Sequence, residues 1–70
     1  MKQIVIKSEF IKLDSLLKFA GLVESGGMAK AMIQNNLVQV NNNACNQRGK
    51  KIYRGDLVKF NGQELEIIGE

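Results

Sequence analysis

Leu13-Asp-Ser-Leu-Leu-Lys-Phe-Ala20-Gly21-Leu-Val-Glu-Ser25-Gly-Gly-Met-Ala-Lys30-Ala-Met-Ile33-Gln-Asn-Asn36-Leu-Val38-Gln-Val40-Asn41-Asn42 is the stretch that decides the fold. Leu13, Leu16, Leu17 and Ala20 fall at i, i+3, i+4 and i+7, the spacing of one apolar helix face. Asp14 and Lys18 lie four apart on another face, in the orientation that supports a helix. Gly21 ends that helix, because glycine accepts the left-handed conformation a helix terminus requires. Ser25 suits a second N-cap, its hydroxyl accepting a first-turn N–H. The spacing predicts a second helix from about Gly26 to Asn35, with Ala29, Ile33 and Met32 inward and Lys30 and Gln34 on a different face. Asn36 is the predicted left-handed cap, and Leu37 to Val40 reads as a strand turning at Asn41-Asn42.

Outward from this stretch the period is that of strands. Lys2 to Lys7 alternates, with Ile4 and Ile6 on one side. Glu9-Phe10-Ile11 reads as the connection into the first helix. Asn43 to Cys45 is a candidate returning strand, Asn46 to Lys51 a polar, basic loop, and Ile52-Tyr53 a short extended piece. Leu57 to Phe60 and Glu64 to Ile68 flank Asn61-Gly62, a strong hairpin signal. The expected architecture is α+β: two short packed helices with a small antiparallel sheet, in the order β-α-α-β-β-β-β. It forms a single domain over residues 1–70.

Seventy residues bury only roughly 60% of the unfolded surface, which leaves little room for a deep catalytic pocket. The chain has one cysteine and no histidine. That excludes an internal disulfide, a Ser-His or Cys-His catalytic pair, and a typical zinc site. Asp14, Glu24 and Asp56 have structural readings as a helix-face partner, an acid before a helix and a turn residue. No phosphate-binding Gly-x-x-x-x-Gly-Lys loop occurs. The chain is therefore expected to be neither an enzyme nor a cofactor or small-molecule binder. No leader-like segment opens the sequence and no apolar run approaches ~18 residues. The expectation is a soluble cytoplasmic protein without a membrane partner.

The net charge of +3 is unevenly spread. From Lys12 to Arg54, Lys12, Lys18, Lys30, Arg48, Lys50, Lys51 and Arg54 stand against Asp14 and Glu24. From Gly55 onward, Lys59 stands against Asp56, Glu64, Glu66 and Glu70. A cationic middle and an acidic tail predict one face built for a polyanion. Lys18, Lys30, Arg48, Lys50 and Lys51 are the candidate phosphate contacts. Arg48 can form a planar clamp and the lysines act as point charges. Ser25, Gln34 and Asn42 can complete the hydrogen bonds. The Ser25-Gly26-Gly27 joint has two readings of equal weight. Its glycines either admit close helix packing or leave first-turn N–H groups open to a phosphate. Surface aromatics do not form an interleaved run. Tyr53 therefore reads as a rim residue and Phe19 as partial core, with Met28, Met32 and Cys45 as packing residues.

In order and spacing, Lys12-Leu13-Asp14, Leu16-Leu17-Lys18, Gly21 to Val23, Ser25, Ala29-Lys30, Ile33, Asn36, Val38, Val40, Asn41-Asn42 and Gly55-Asp56 resemble the RNA-binding domain named after ribosomal small-subunit protein S-four, also called the alpha-L motif. The likeness covers residues 12–58. The Ser-Gly-Gly joint and the Arg-Gly-Lys-Lys loop are similar to its small stand-alone bacterial members. Asn36 and Asn42 stand where the family has glycines, and Gly26 where it has a basic residue. The last departure either weakens binding there or shifts it to backbone amides. The resemblance adds Lys12 to the candidate contacts. It implies a non-catalytic protein that binds structured RNA: ribosomal RNA, transfer RNA or RNA at assembling ribosomal subunits. A monomer is expected. The alternatives are a protein-interaction module using Leu22, Phe19, Met28 or an edge strand, and a detached accessory domain acting beside an RNA-modifying enzyme.

Overall fold

The computed structural model describes residues 2–70. Its elements are β1 (Lys2–Ile6), β2 (Phe10–Lys12), α1 (Leu13–Phe19), α2 (Gly26–Gln34), β3 (Val38–Val40), β4 (Asn43–Ala44), β5 (Lys51–Tyr53), β6 (Leu57–Phe60) and β7 (Gln63–Gly69). Five strands form one sheet in the order β1-β7-β6-β3-β4, and β2 and β5 form a separate two-stranded ribbon.

The predicted α+β class and helix pair are present. Leu13, Leu16, Leu17 and Ala20 are all buried, as are Ala29 and Ile33 of α2. They join Ile4, Ile6, Val38, Val40, Val58, Phe60, Leu65 and Ile67 of the sheet in one core cluster. Both helices end as predicted. Gly21 (φ 76°) and Asn36 (φ 58°) are left-handed. Leu22 N–H donates to Leu17 C=O and Gly21 N–H to Lys18 C=O; Leu37 N–H donates to Met32 C=O and Asn36 N–H to Ile33 C=O. These are two Schellman closures, which satisfy carbonyls the helices leave open. Ser25 caps α2, its hydroxyl accepting from Met28 N–H at 3.1 Å.

Two-residue turns of type I′ connect both hairpins, with positive φ at Asn41, Asn42, Asn61 and Gly62. This turn matches the right-handed twist of the flanking strands. Asn41 also fastens the far side of the domain: its Nδ2 donates to Asp56 Oδ1 at 3.1 Å, and its Oδ1 accepts from Leu57 N–H at 2.9 Å. Asp56 Oδ2 accepts from Tyr53 N–H at 2.8 Å. The Gly-Asp signature is thus a structural clasp between β5, β6 and the β3–β4 turn.

Three expectations need correction. Phe10–Lys12 is a strand rather than a connection. It pairs antiparallel with Lys51–Tyr53, so the chain opens with two strands before α1. The sheet is antiparallel except at one edge, where β1 runs parallel to β7 with Ile4 opposite Ile67. The first strand reaches the last only after the whole chain has wound between them. Phe19 is 65% exposed and is not part of the core; it follows Lys18 on the outer side of α1.

Candidate nucleic-acid interface

The β2–β5 ribbon and the loop before β5 gather most of the predicted cations around the start of α1. Lys12 ends β2 and occupies the N-cap position of α1, with no side-chain cap of its own. The first-turn donors are met instead by the loop. Leu13 N–H donates to Lys50 C=O at 2.9 Å and Asp14 N–H to Arg48 C=O at 3.0 Å. A turn closed by Lys50 N–H on Gln47 C=O (3.2 Å) holds Arg48 and Gly49 at its tip. The loop therefore spends its carbonyls on the helix, while the side chains of Arg48 and Lys50 remain exposed. It is fastened to the start of α1.

Lys51 stands directly opposite Lys12 in the ribbon. Like charges in that position repel. Lys51 leans away, its Nζ lying 4.8 Å from the Phe10 ring centroid. Among the described residues the ion pairs are Lys7–Glu70 at 3.9 Å and Lys59–Glu64 at 3.6 Å. Both lie outside the candidate set, so the acidic tail neutralises lysines of β6 and the β1 end and leaves the Lys12–Lys51 region unpaired. Asp14 does not pair with Lys18; its Oδ1 accepts from Ser15 N–H at 2.7 Å. Replacing Lys12 with glutamate turns the cross-strand repulsion into attraction. It should raise the unfolding free energy by about 0.2–1 kcal/mol. A lower melting temperature for that variant would show that the opposed lysines are not under repulsive load.

The second group lies on α2. Gly26, Lys30 and Gln34 fall at i, i+4 and i+8, one line along an exposed side. A Cβ on Gly26 would meet nothing within 4 Å, and one on Gly27 only the Ser25 hydroxyl at 4.0 Å. Close packing at the Cβ positions therefore does not require either glycine. Lys18 sits in the last turn of α1, and Asn42 at the exposed tip of the β3–β4 turn in the left-handed region (φ 70°). Lys18 shares a shallow surface depression with Ile11 of β2, Ser15 and Phe19.

Sequence reasoning missed Phe10 and Arg54. Phe10 packs on Tyr53 with ring centroids 5.9 Å apart. Arg54 Nη2 donates to Ser8 C=O at 3.3 Å, and its side chain crosses the Cα of Gly69 where any Cβ would collide with it. Only the partner strand reveals the first, and only the chain end reveals the second.

No buried side-chain polar atom lacks a partner among the described residues, and no group of His, Cys, Asp or Glu among them is placed to hold a metal. Among the described residues, no helix is long and apolar enough to cross a membrane. A capped helix pair packs on a mostly antiparallel sheet, with a two-stranded ribbon carrying Lys12 and Lys51 at the start of the first helix. The S4 domain family model matches residues 4–68, and the chain belongs to this family. It is 44% identical over 59 residues to the probable ribosome maturation protein RlbA of Bacillus subtilis (strain 168), covering 84% of this chain and 83% of that protein. The solution structure of YbcJ from E. coli, described as revealing an alpha-L motif involved in RNA-binding, superposes with a TM-score of 0.74. That match has 30% identity and covers 97% of this chain and 87% of the other.

Proposed function

We propose that the protein is a non-catalytic, cytoplasmic RNA-binding module that docks as a monomer on structured ribosomal or transfer RNA during ribosomal subunit assembly. The observation that carries this reading is the set of exposed cations without carboxylate partners, organised on an S4-family frame. Lys12, Arg48, Lys50 and Lys51 meet the RNA backbone around the start of α1, and Lys30 with Gln34 along α2. Lys18 and Asn42 contact the periphery. Ser25, Gly26 and Gly27 offer backbone N–H groups to a phosphate at the N-terminus of α2, where the helix dipole favours an anion. Long-range electrostatics bring the RNA in, and RNA shape gives selectivity. The names of the RlbA and YbcJ relatives support RNA binding and a ribosomal setting.

Crosslinking in cells followed by sequencing of the attached RNA tests this directly. Enrichment of ribosomal or transfer RNA is the expected result. The competing reading, a protein-interaction module, draws on a groove lined by Leu22, Met28, Met32, Leu37 and Phe60. A defined protein partner that survives high salt, with no RNA recovered, would favour it.

Gly26→Asp isolates the backbone site. An acid in the first turn of a helix does not disfavour folding, and the position has open space. The variant should melt like the wild type yet bind RNA more weakly, because its carboxylate occupies the phosphate position. Wild-type affinity in this variant would remove the α2 N-terminus from the interface.

A further inference from the structure

The outward face of the β2–β5 ribbon carries more than charge. In an antiparallel pair, directly opposed residues share a face, as do residues two apart on one strand. The register Phe10 opposite Tyr53 and Lys12 opposite Lys51 therefore puts two aromatic rings at one end of the face and two lysines at the other. Ile11 and Ile52 between them turn inward; Ile52 is fully buried and Ile11 packs against the core.

The rings and the lysines are unevenly engaged. The Lys51 ammonium covers the Phe10 ring at 4.8 Å. Tyr53 touches Phe10 in a tilted contact (5.9 Å between centroids, 50° between planes) and is 43% exposed. Its backbone is fixed, with Tyr53 N–H donating to Asp56 Oδ2 at 2.8 Å and Tyr53 C=O accepting from Asp56 N–H at 3.1 Å. The opposed lysines lack a counter-charge, and an anion between them would relieve their repulsion. Ring-bearing and lysine-bearing residues are two strand positions apart, roughly 6.6 Å along the backbone, and the Lys51 ammonium reaches back to the Phe10 ring.

We infer that this face is a nucleotide site, in which an unpaired RNA base stacks on Tyr53, supported by Phe10, while an adjoining phosphate sits between Lys12 and Lys51. The inference rests on the RNA-binding reading and adds a preference to it. A base within a duplex hides its faces, whereas bases in loops and bulges expose them to aromatic side chains. The ribbon thus directs the protein to helix–loop junctions, with the cations of the loop and of α2 on the backbone and Tyr53 on the first unpaired base.

Tyr53 is the only tyrosine and the chain has no tryptophan, so its intrinsic emission reports on this ring alone. The probes are an RNA hairpin with an unpaired loop and a fully paired duplex of the same stem. Binding is read by anisotropy of a labelled strand and stacking by tyrosine emission with unlabelled RNA. Saturation with the hairpin should quench the emission. Tyr53→Leu should weaken hairpin binding about 10-fold or more, within the range that base–aromatic stacking supports. Duplex binding and the salt slope should stay unchanged, because no charge is lost. Tyr53→Phe should retain hairpin affinity within about twofold, since the ring remains. Hairpin binding with unchanged emission would overturn the stacking site and leave the RNA-binding reading standing, as would wild-type affinity in a folded Tyr53→Leu variant. No binding of either RNA at low salt would overturn both.

Discussion

Leu17→Ala and Ile33→Ala should each lower the unfolding free energy by about 2–5 kcal/mol, the cost of lost burial plus a cavity that neighbours only partly fill. Leu17 lies on the inner face of α1 and Ile33 on that of α2, and neither has any exposed surface. Globular domains have only about 0.05–0.15 kcal/mol of stability per residue. For a chain of 70 residues either substitution therefore removes a large share of the total, and both together should leave the protein largely unfolded at room temperature. Urea denaturation followed by circular dichroism measures this. A midpoint unmoved by either substitution would contradict the packing of the helices on the sheet.

The second large effect is on binding. Alanine at Lys30, Lys50 and Lys51 together should reduce RNA affinity strongly while leaving the fold close to its wild-type stability. All three side chains are exposed. The fastening of the loop to α1 uses the backbone carbonyls of Arg48 and Lys50, which alanine preserves. Removing Lys51 forfeits its interaction with the Phe10 ring, worth about 0.5–1 kcal/mol at an exposed site. It also removes the repulsion from Lys12, of about the same size. The two offset each other, so stability should change by no more than about 0.5 kcal/mol, the usual range for exposed positions. Removal of each ammonium that neutralises a phosphate should weaken binding and flatten its salt dependence.

Local chemistry explains what is legible in the sequence. The faces of α1 and α2, the Ser25 cap, the left-handed ends at Gly21 and Asn36, and the turns at Asn41-Asn42 and Asn61-Gly62 each depend on residues within a few positions of one another. A helix period, a capping hydroxyl or a tolerance for positive φ can be read from such a window. The β2–β5 ribbon cannot be read in this way. Each strand has three residues, too few to show alternation, and the partners Phe10 and Tyr53 are separated by the whole helical half of the chain. The parallel pairing of β1 with β7 joins the two ends of the chain and leaves no mark on either strand alone.

The candidate site divides in the same way. Which side chains are cationic and exposed follows from their places off the apolar stripes. How they are grouped does not, because the basic loop is attached to α1 through carbonyl oxygens that every residue has. Phe19 shows the opposite failure: an aromatic next to a buried stripe reads as core, yet it falls on the outer side of the helix. The two glycines after Ser25 gain their meaning only from the space around them, since a lack of neighbours at Cβ is a property of the fold.

A salt titration of RNA binding, run on the wild-type protein and on the folded Lys30/Lys50/Lys51 triple alanine variant, tests the central claim most directly. If the cationic surface neutralises roughly four to six phosphates, log affinity of the wild type for an unpaired RNA should fall against log salt with a slope of about −3 to −4, at about −0.7 per phosphate. The triple variant should bind more weakly and show a slope shallower by about 2. A folded triple variant with the wild-type slope and affinity, or a wild-type protein that binds no RNA even at low salt, would contradict the cationic surface as the RNA-binding face.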